Sequence, residues 1–235
     1  MKLSAIEHIF FDLDHTLWDY DRNSNETLNL LYNQFSLEAL GLFPKSRFIE
    51  SFHRANLKVW DIFDENRLNR KELRNKRMEL VFEEFNLNSE VPQGFHDAYY
   101  LNCSSGAHLI EGAKEILEWL ADKYSLHIIT NGFEDAQHTK LISSGISGFF
   151  KTVTTSEIAL SKKPDPEYFH FALNKAGAEV MNSLVIGDGL RTDIAGSIKA
   201  GVKVIWFNPE EKENPYPFVP MISSLFEIKK HLKPG

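Results

Sequence analysis

IFFDLDHTL, residues 9–17, is an apolar run that ends in two closely spaced aspartates. Ile9 to Phe11 predicts a buried β-strand, because strands covered on both faces are continuously apolar. Asp12 and Asp14 lie two residues apart, a spacing that turns both carboxylates to one side of an extended chain. Two such charges repel unless a cation lies between them or one keeps its proton. A divalent cation would leave one carboxylate as a nucleophile and the other as a proton carrier; the alternative is a plain turn, which also favours aspartate.

The composition is that of an ordinary globular protein with an acidic balance. Of 235 residues, 43% are hydrophobic and 25% are charged, and the formal net charge is -7. DNA and RNA polymers are therefore not expected as partners, whereas a small phosphorylated metabolite needs only local positive charge. The sequence has no apolar run of membrane-spanning length and no long apolar segment near its N-terminus. With Cys103 as the single cysteine, we expect a cytoplasmic protein without a membrane partner.

Residues 18–104 carry helical periodicity and no clear strand. Apolar residues recur three to four positions apart in four segments, which we predict as helices near residues 27–40, 44–63, 70–85 and 92–101. Gly41 is expected to end the first of them, and Pro44 to lie in the first turn of the second. About eighty residues between two strands is far too long for a simple crossover. The segment is therefore predicted to be an inserted all-helical domain.

After residue 104 the pattern changes to alternating strands and helices. Further strands are predicted at residues 125–130, 152–155, 183–188 and 202–207. Helices are predicted at residues 112–123, 134–144, 166–176, 192–200 and 223–232, with an irregular loop over 210–220. Alternating elements with near-continuous apolar strands imply a parallel sheet with helices on both faces. The predicted fold class is α/β: a Rossmann-like parallel-sheet core of residues 1–17 and 105–235, interrupted by the helical domain.

Polar side chains follow the predicted strands at the points where they end. The carboxyl ends of parallel strands meet at one edge of the sheet, which is where ligands bind in open α/β folds. The side chains expected at this edge are Asp12, Asp14, Thr130, Asn131, Lys162, Lys163 and Asp188. Their convergence favours a binding or catalytic site over turn chemistry alone.

The order of these residues along the chain resembles the four motifs of the haloacid dehalogenase (HAD) superfamily. The matching segments are Asp12-x-Asp14-x-Thr16, Thr130 after an apolar strand, Lys163-Pro164-Asp165-Pro166, and Gly187-Asp188 followed by Asp193. The helical insertion directly after the first motif resembles that superfamily's C1-type cap, so the core is identified as HAD-like. Residues 12–19 and 128–133 are similar to bacterial 5'-nucleotidases that act on pyrimidine and non-standard nucleoside monophosphates.

The resemblance implies a phosphomonoester hydrolase that forms an aspartyl phosphate. Asp12 would attack phosphorus, and Asp14 would protonate the leaving alcohol and then activate the hydrolytic water. Cations must neutralise a phosphate ester before an anionic nucleophile can approach it, and Mg²⁺ is the implied cofactor. Its implied ligands are the Asp12 carboxylate, the Asp14 backbone carbonyl and Asp188.

The same resemblance implies residues that bind the phosphate and support the site. Lys163 would supply a fixed positive charge. The Thr130 hydroxyl and the backbone N–H groups of Asn131 and Gly132 precede a helix, where anions are favoured. Asp193 is expected to orient Lys163 or a metal-bound water.

Substrate choice is expected to come from the cap, because the motifs contact only phosphate and metal. The implied substrate is a small phosphorylated metabolite, in the first place a nucleoside monophosphate. Trp18 at the cap entry is a candidate for stacking a base, with further aromatic and basic candidates in Tyr20, Trp60, Phe63, Arg67 and Arg70. The alternative is that the aromatic residues form the cap's own core. The sequence does not separate a monomer from a homodimer.

Other classes of protein remain open at this stage. A sugar-phosphate or phosphoglycolate-type phosphatase, or a phosphomutase, would carry the same motifs. A phosphate-sensing or signalling module also gathers Asp, Thr and Lys at a sheet edge, but in a different order and without a large helical insertion. Dehalogenases usually lack the second acid of the first motif, which Asp14 supplies. Residues 187–192 begin like a dinucleotide-binding G-x-G-x-x-G, but Thr192 replaces the third glycine and the segment follows the fourth strand.

Overall fold

The computed structural model describes residues 6–65 and 67–232, and the chain divides into two structural units. One unit is formed by Met1–Tyr20 and Ala107–Gly235, and the other by Asp21–Gly106. The boundaries predicted from the sequence, after residues 17 and 104, fall three residues before Tyr20 and two before Gly106. No helix in the two described ranges is both long and apolar enough to cross a bilayer.

The described part of the insertion contains four helices, α1 (Tyr20–Gln34), α2 (Lys45–Asp64), α3 (Arg70–Glu84) and α4 (Phe95–Ser104). α2 begins directly after Pro44, which is its N-cap residue and so lies just before the first turn in which it is predicted, and α2 packs against α3. α3 starts at a capping box, in which Asn69 Oδ1 accepts from the Glu72 N–H and the Glu72 carboxylate accepts from the Asn69 N–H. The apolar residues buried in this unit include Phe48, Phe52, Val59, Met78 and Val81.

The first helix of the insertion differs from its prediction. It runs Tyr20–Gln34 instead of occupying residues 27–40. Ser36 has a left-handed backbone with a φ of 50°, and the Leu37 N–H bonds back to the carbonyl of Tyr32. This geometry ends a helix. Leu37 is still fully buried, so the apolar periodicity continues beyond the point where the helix stops.

The other unit is built on a parallel sheet whose six described strands are β1 (His8–Phe11), β2 (Ser125–Thr130), β3 (Phe150–Thr155), β4 (Ser183–Gly187), β5 (Lys203–Phe207) and β6 (Met221–Ile222). Their spatial order is β3-β2-β1-β4-β5-β6, so β1 lies between β2 and β4. The register places Phe11 level with Ile128 and Ile186. The residues that follow β1, β2 and β4 therefore leave the sheet side by side, and the predicted parallel α/β class is confirmed.

Helices connect these strands in the predicted alternation: α5 (Ala113–Ala121), α6 (Glu134–Ser143), α7 (Ser156–Ala159), α8 (Pro166–Ala176), α9 (Ala195–Ala200) and α10 (Ile228–His231). α8 has the predicted bounds. The prediction misses α7 and β6, which are too short to carry a periodic pattern. A π-helical turn, Leu190–Ile194, precedes α9 where a regular helix from Thr192 is predicted. A 3-10 turn, Leu225–Glu227, replaces the start of the predicted C-terminal helix.

Candidate active site

Asp12 and Lys163 form a buried ion pair directly beyond the central strand. The Asp12 N–H donates to the carbonyl of Ile186 at 2.9 Å, which extends the sheet pairing and fixes the backbone at this point. Lys163 Nζ lies 2.6 Å from Asp12 Oδ1 and also donates to the carbonyl of Ile129 at 3.3 Å. Both side chains are buried. Lys163, and not the neighbouring Lys162, is therefore the lysine that the fold brings to the predicted nucleophile.

Asp193 holds Lys163 from the other side. Its Oδ1 accepts from Lys163 Nζ at 2.6 Å, and its Oδ2 accepts from the Gly189 N–H at 2.9 Å. Gly187, the last residue of β4, makes this approach possible, because a Cβ there would lie 2.5 Å from the Asp193 carboxylate. The π-helical turn after β4 thus brings Asp193 onto the end of the strand. The structure places Asp193 against Lys163; the expectation that it orients Lys163 or a metal-bound water stays a prediction.

Asp188 is fixed by Thr16, the last residue of the Asp12-x-Asp14-x-Thr16 motif. The Thr16 hydroxyl donates to Asp188 Oδ1 at 2.9 Å and accepts from the Asp188 N–H at 3.1 Å. The indole N–H of Trp206 donates to the Asp188 carbonyl at 3.0 Å. These bonds connect the turn after β1 with the end of β4, so Thr16 and Trp206 set the position of Asp188 relative to Asp12.

The buried carboxylates around Lys163 repel one another. Burial raises the pKa of Asp12 well above its usual range, Lys163 opposes the rise, and the charges of Asp193 and Asp188 add to it. The pKa of Asp188 is raised to about 7, first by burial and then by the charge of Asp193. Burial alone would lower the pKa of Lys163, but the charges of Asp12 and Asp193 outweigh it and raise that pKa. One ammonium faces three carboxylates, so the ionised cluster carries an excess of negative charge.

This cluster has the donor set of a site for a hard divalent cation. One oxygen from each of Asp12, Asp188 and Asp193 lies within 4.8 Å of the other two. Both oxygens of Asp193 accept hydrogen bonds, whereas the bonds that Asp12 and Asp188 accept from side chains in the described ranges go to Oδ1. The second oxygen of Asp188 is therefore a natural ligand atom, an oxygen of Asp12 can join it, and oxygen donors suit Mg²⁺. The Asp14 carboxylate lies outside this group, so only its backbone carbonyl remains as the predicted ligand.

Thr130 lies at the end of β2 and is held by a buried tyrosine. Its backbone N–H donates to the hydroxyl of Tyr168 at 2.7 Å, and that hydroxyl donates to the carbonyl of Thr154 at 2.6 Å. The Thr130 hydroxyl accepts from the Gly132 N–H at 3.0 Å. The predicted phosphate-binding role of the Gly132 N–H therefore requires that this bond be shared or broken.

Asn131 contributes with its side chain, which the sequence did not suggest. Its amide Nδ2 donates to the carbonyl of Lys163 at 3.0 Å, and its Oδ1 accepts from the Lys163 N–H at 2.9 Å. This reciprocal pair clamps the backbone on which Lys163 stands. Asn131 therefore fixes the loop that carries the lysine, besides any contact of its own backbone with a ligand.

Asp14 has two partners on α6 that sequence reasoning missed. Lys140 Nζ contacts both oxygens of the Asp14 carboxylate, at 2.6 Å from Oδ1 and 2.8 Å from Oδ2. Gln137 Nε2 donates to Oδ2 at 3.2 Å. Gln137 and Lys140 are three residues apart and so lie on one face of the helix that follows Thr130. That spacing is visible in the sequence, but it does not tell which way the face points.

Trp18, the predicted base-stacking residue, lies inside the protein instead. Its side chain is fully buried, and Lys140 Nζ lies 4.5 Å from the centroid of its ring. Its backbone closes the turn after β1, since the Trp18 N–H donates to the carbonyl of Leu13 and the Trp18 carbonyl accepts from the His15 N–H. No face of the ring is open to a base in this structure, so packing explains Trp18 better than substrate stacking does.

Two curated proteins are similar to this chain over most of their length. The pyrimidine 5'-nucleotidase PynA of Streptococcus pneumoniae is 30% identical over 209 residues, which cover 88% of this chain and 85% of PynA. The pyrimidine 5'-nucleotidase YjjG of Escherichia coli is 28% identical over 228 residues, which cover 95% of this chain and 96% of YjjG. Both alignments span the α/β unit and the helical insertion, so the similarity concerns the whole arrangement.

A solved structure shares this arrangement. The magnesium-bound crystal structure of the HAD-hydrolase YfnB from Bacillus subtilis, which reveals interdomain movement, matches with a TM-score of 0.83 and 28% identity, over 96% of this chain and 97% of YfnB. The model of the haloacid dehalogenase-like hydrolase family matches residues 9–207, a range that runs from β1 to the end of β5 and contains the whole carboxylate and lysine cluster. With the motifs in this order at one edge of a parallel sheet, the chain belongs to the haloacid dehalogenase-like hydrolase family.

Proposed function

We propose that the protein is a Mg²⁺-dependent phosphomonoester hydrolase that works through an aspartyl phosphate and acts on nucleoside 5'-monophosphates. The observation that carries this proposal is the buried cluster beyond β1, where Asp12, Asp188 and Asp193 surround the single ammonium of Lys163. Such a cluster favours a divalent cation and, with it, an anionic ester. The similarity to two pyrimidine 5'-nucleotidases supports the substrate class.

Asp12 is the proposed nucleophile. Lys163 fixes its Oδ1 at 2.6 Å, which leaves Oδ2 to attack phosphorus. As the new bond from Oδ2 to phosphorus forms, the bond from phosphorus to the ester oxygen breaks, and the alcohol departs with that electron pair. A fixed ammonium in a buried site stabilises the developing charge more strongly than it would in water. Lys163 therefore both orients Asp12 and supports the transfer.

Positive charge in the site comes from two sources. Mg²⁺, held by Asp12, Asp188 and the Asp14 backbone carbonyl, would offset the negative charge of the cluster and of the incoming ester. Lys163 adds a charge that Asp193 keeps in place. The Thr130 hydroxyl, at the end of the neighbouring strand, is the proposed contact to the phosphate oxygens.

Asp14 is the proposed proton carrier. In its protonated form it would give a proton to the leaving oxygen. As the resulting carboxylate it would take a proton from the water that attacks phosphorus in the aspartyl phosphate, which restores the Asp12 carboxylate and protonated Asp14 and releases phosphate. Its carboxylate bonds to Lys140 and Gln137 and not to Lys163. Asp12 and Asp14 thus have different partners, as different roles require.

We assign substrate selection to the helical unit, since the α/β unit already accounts for phosphate and metal. Trp60 and Phe63 are half-buried, and their rings meet edge to face with centroids 5.3 Å apart. They are outside the fully buried core, which favours base binding over the alternative of pure packing. Arg67 is exposed, bonds to Glu65, and follows Phe63 by four residues.

A panel of phosphate esters tests the substrate class. The purified protein with Mg²⁺ is assayed for phosphate release from pyrimidine and purine nucleoside 5'-monophosphates, hexose phosphates and phosphoglycolate. We expect the best nucleoside monophosphate to exceed every sugar phosphate in kcat/KM by about tenfold or more, because base contacts add binding that a sugar phosphate lacks. A lead of sugar phosphates by the same factor would overturn the nucleotidase assignment. Isomerisation without phosphate release would identify a mutase, and no turnover of any ester would overturn the hydrolase proposal.

Binding of Mg²⁺ is expected to weaken as the pH falls from 8 to 6. In the metal-free protein the pKa of Asp188 is about 7 and that of Asp12 is also raised. Below these values the cation must displace protons, which costs about tenfold in affinity per pH unit for each proton displaced. Calorimetry at pH 6, 7 and 8, in buffers of different ionisation heat, measures both the affinity and the protons released. Affinity independent of pH, without proton release, would contradict the assigned ligands.

The raised pKa of Asp188 also determines how the stability of the folded protein changes with pH. Unfolding returns Asp188 from a pKa of about 7 to its ordinary value of 3.8, so the folded state binds more protons than the unfolded state between these values. The contribution of this group to stability is therefore present below pH 4 and lost as the pH rises through 7. Mg²⁺ should raise the melting temperature more at pH 8 than at pH 5.5.

A further inference from the structure

We infer that Lys140 and Gln137 are positioning residues that hold the carboxylate of Asp14 in place for proton transfer. This inference rests on the proposed phosphatase function and adds to it a pair of residues outside the recognised motifs. Lys140 and Gln137 belong to α6, the helix that follows Thr130, and they reach Asp14 from the same helix face.

Three contacts restrain the carboxylate of Asp14. Lys140 Nζ spans both oxygens of Asp14, at 2.6 and 2.8 Å, and Gln137 Nε2 adds a third bond to Oδ2 at 3.2 Å. An ammonium bound to both oxygens opposes rotation of the carboxylate about its bond to Cβ. The Asp14 side chain is therefore presented in one orientation, whereas a carboxylate in contact with water alone would sample several.

Both partners are buried, although their side chains are long and polar. Lys140 is 6% exposed and Gln137 is 2% exposed. Burying an ammonium is unfavourable unless it is paired, and an apolar side chain would pack at least as well at such a position. A gain in stability alone therefore does not explain a lysine at residue 140. The Lys140 ammonium also lies over the ring of Trp18, 4.5 Å from the centroid. This contact helps to hold the ammonium in position for its ion pair with Asp14.

The turn before α6 is shaped around Gln137. A Cβ at Gly132 would lie 2.2 Å from Gln137 Nε2, so the space beside this turn is taken by the glutamine amide. The Thr130 hydroxyl is 3.4 Å from Gln137 Oε1 and can donate to it. Gln137 thus links the proposed phosphate contact, Thr130, to the proposed proton carrier, Asp14. This second observation is independent of the ion pair with Lys140.

A displaced carboxylate would impair the two proton transfers but not the attack of Asp12. Esters with a good leaving group need no proton at the departing oxygen, so they can still phosphorylate Asp12. Hydrolysis of the aspartyl phosphate still needs Asp14 to accept a proton from water. Loss of Lys140 or Gln137 should therefore slow both phosphorylation of Asp12 and hydrolysis of the aspartyl phosphate when the substrate is an alkyl ester. With an aryl ester it should slow only the hydrolysis.

Lys140→Met tests this inference, since methionine keeps the length of the side chain and removes the charge. We expect kcat for the best nucleoside monophosphate to fall about 100-fold while KM changes less than about threefold. With p-nitrophenyl phosphate, rapid mixing should show a burst of one nitrophenolate per enzyme followed by slow turnover. Lys140→Arg should have a higher kcat than Lys140→Met, because arginine restores the positive charge. Gln137→Met should lower kcat about tenfold relative to the wild type.

Lys175→Met is the matched control. Lys175 lies on α8, where its ammonium donates to the carbonyl of Val153 at 2.7 Å, away from the site; both kcat values should stay as in the wild type. Equal losses of Lys140→Met on the aryl and alkyl esters, without a burst, would overturn the inference, as would a lower melting temperature with unchanged kcat. If Lys140→Met does not fold, the same two outcomes in Lys140→Arg and Gln137→Met would overturn the inference: equal losses on the two esters without a burst, or a lower melting temperature with unchanged kcat. Absence of phosphate release by the wild type would overturn the proposed function and this inference together.

Discussion

Asp12→Asn is expected to lower turnover of every phosphate ester by roughly four orders of magnitude or more, because the amide cannot form the covalent intermediate. The variant keeps the shape of the side chain, and its Oδ1 can still accept from Lys163. Binding of substrate should therefore be affected far less than kcat. Steady-state assays with a nucleoside monophosphate and with p-nitrophenyl phosphate measure the loss, which should be the same for both esters.

The folded state of Asp12→Asn should survive and can even gain stability. Burial and like charges raise the pKa of Asp12, which means that the folded protein disfavours the ionised form. A neutral amide removes that repulsion, so at pH 8 without Mg²⁺ the melting temperature should equal or exceed that of the wild type. Loss of activity in a protein of undiminished stability separates a chemical role of Asp12 from a structural one.

A matched control and a chemical trap complete this test. Asp165→Asn is the control: Asp165 caps α8 by accepting from the Glu167 N–H at 3.1 Å, and asparagine caps helices equally well. It should turn over substrate at the wild-type rate. Borohydride reduction of the wild-type enzyme during turnover should convert Asp12 to homoserine, detectable by peptide mass spectrometry. An active Asp12→Asn variant, or label at another aspartate, would show that the nucleophile lies elsewhere.

The positions of the motif residues could be predicted because the sheet is parallel and buried. Near-continuous apolar runs mark β1, β2 and β4, and the topology then brings the residues at their carboxyl ends to one edge. That is why Asp12, Thr130 and Asp188 lie at the same edge of the sheet, although they are far apart in sequence. β6 could not be predicted in this way, because a strand of two residues is too short to show a pattern of apolar residues.

The partners of Asp14 could not be predicted, for a different physical reason. Lys140 and Gln137 lie on a connecting helix, and their spacing identifies a shared face without giving its direction. The direction depends on how α6 packs after the Thr130 turn, where Gly132 leaves room for the Gln137 amide. Thr16 shows the same limit: its bond to Asp188 at 2.9 Å depends on the turn that carries it back to the sheet edge. Motif spacing thus predicts which strand end a residue occupies, but not the partner it finds there.

Lys163→Met should abolish turnover and also weaken the fold, because it removes the ammonium that pairs with both Asp12 and Asp193. Both carboxylates are buried and bond to Lys163 Nζ at 2.6 Å. Leaving buried charges without their partner destabilises a protein by about 3–5 kcal/mol. Lys162→Met is the control, since it removes the neighbouring lysine while Lys163 still bonds to both carboxylates; it should keep wild-type turnover. Urea unfolding and phosphate release measure both effects.

The pH dependence distinguishes this explanation from a simple packing defect. Without the ammonium, the repulsion between the two buried carboxylates is relieved when Asp12 binds a proton, so the pKa of Asp12 in the folded variant should exceed the unfolded value. The folded state then binds more protons than the unfolded state, and the stability of Lys163→Met should fall as the pH rises from 5 to 8. Mg²⁺ should restore part of the stability at pH 8 but not the turnover, because the cation offsets the charge without orienting Asp12. A loss of stability that is equal at pH 5 and pH 8 and insensitive to Mg²⁺ would mean that the charge cluster is not what holds this site together.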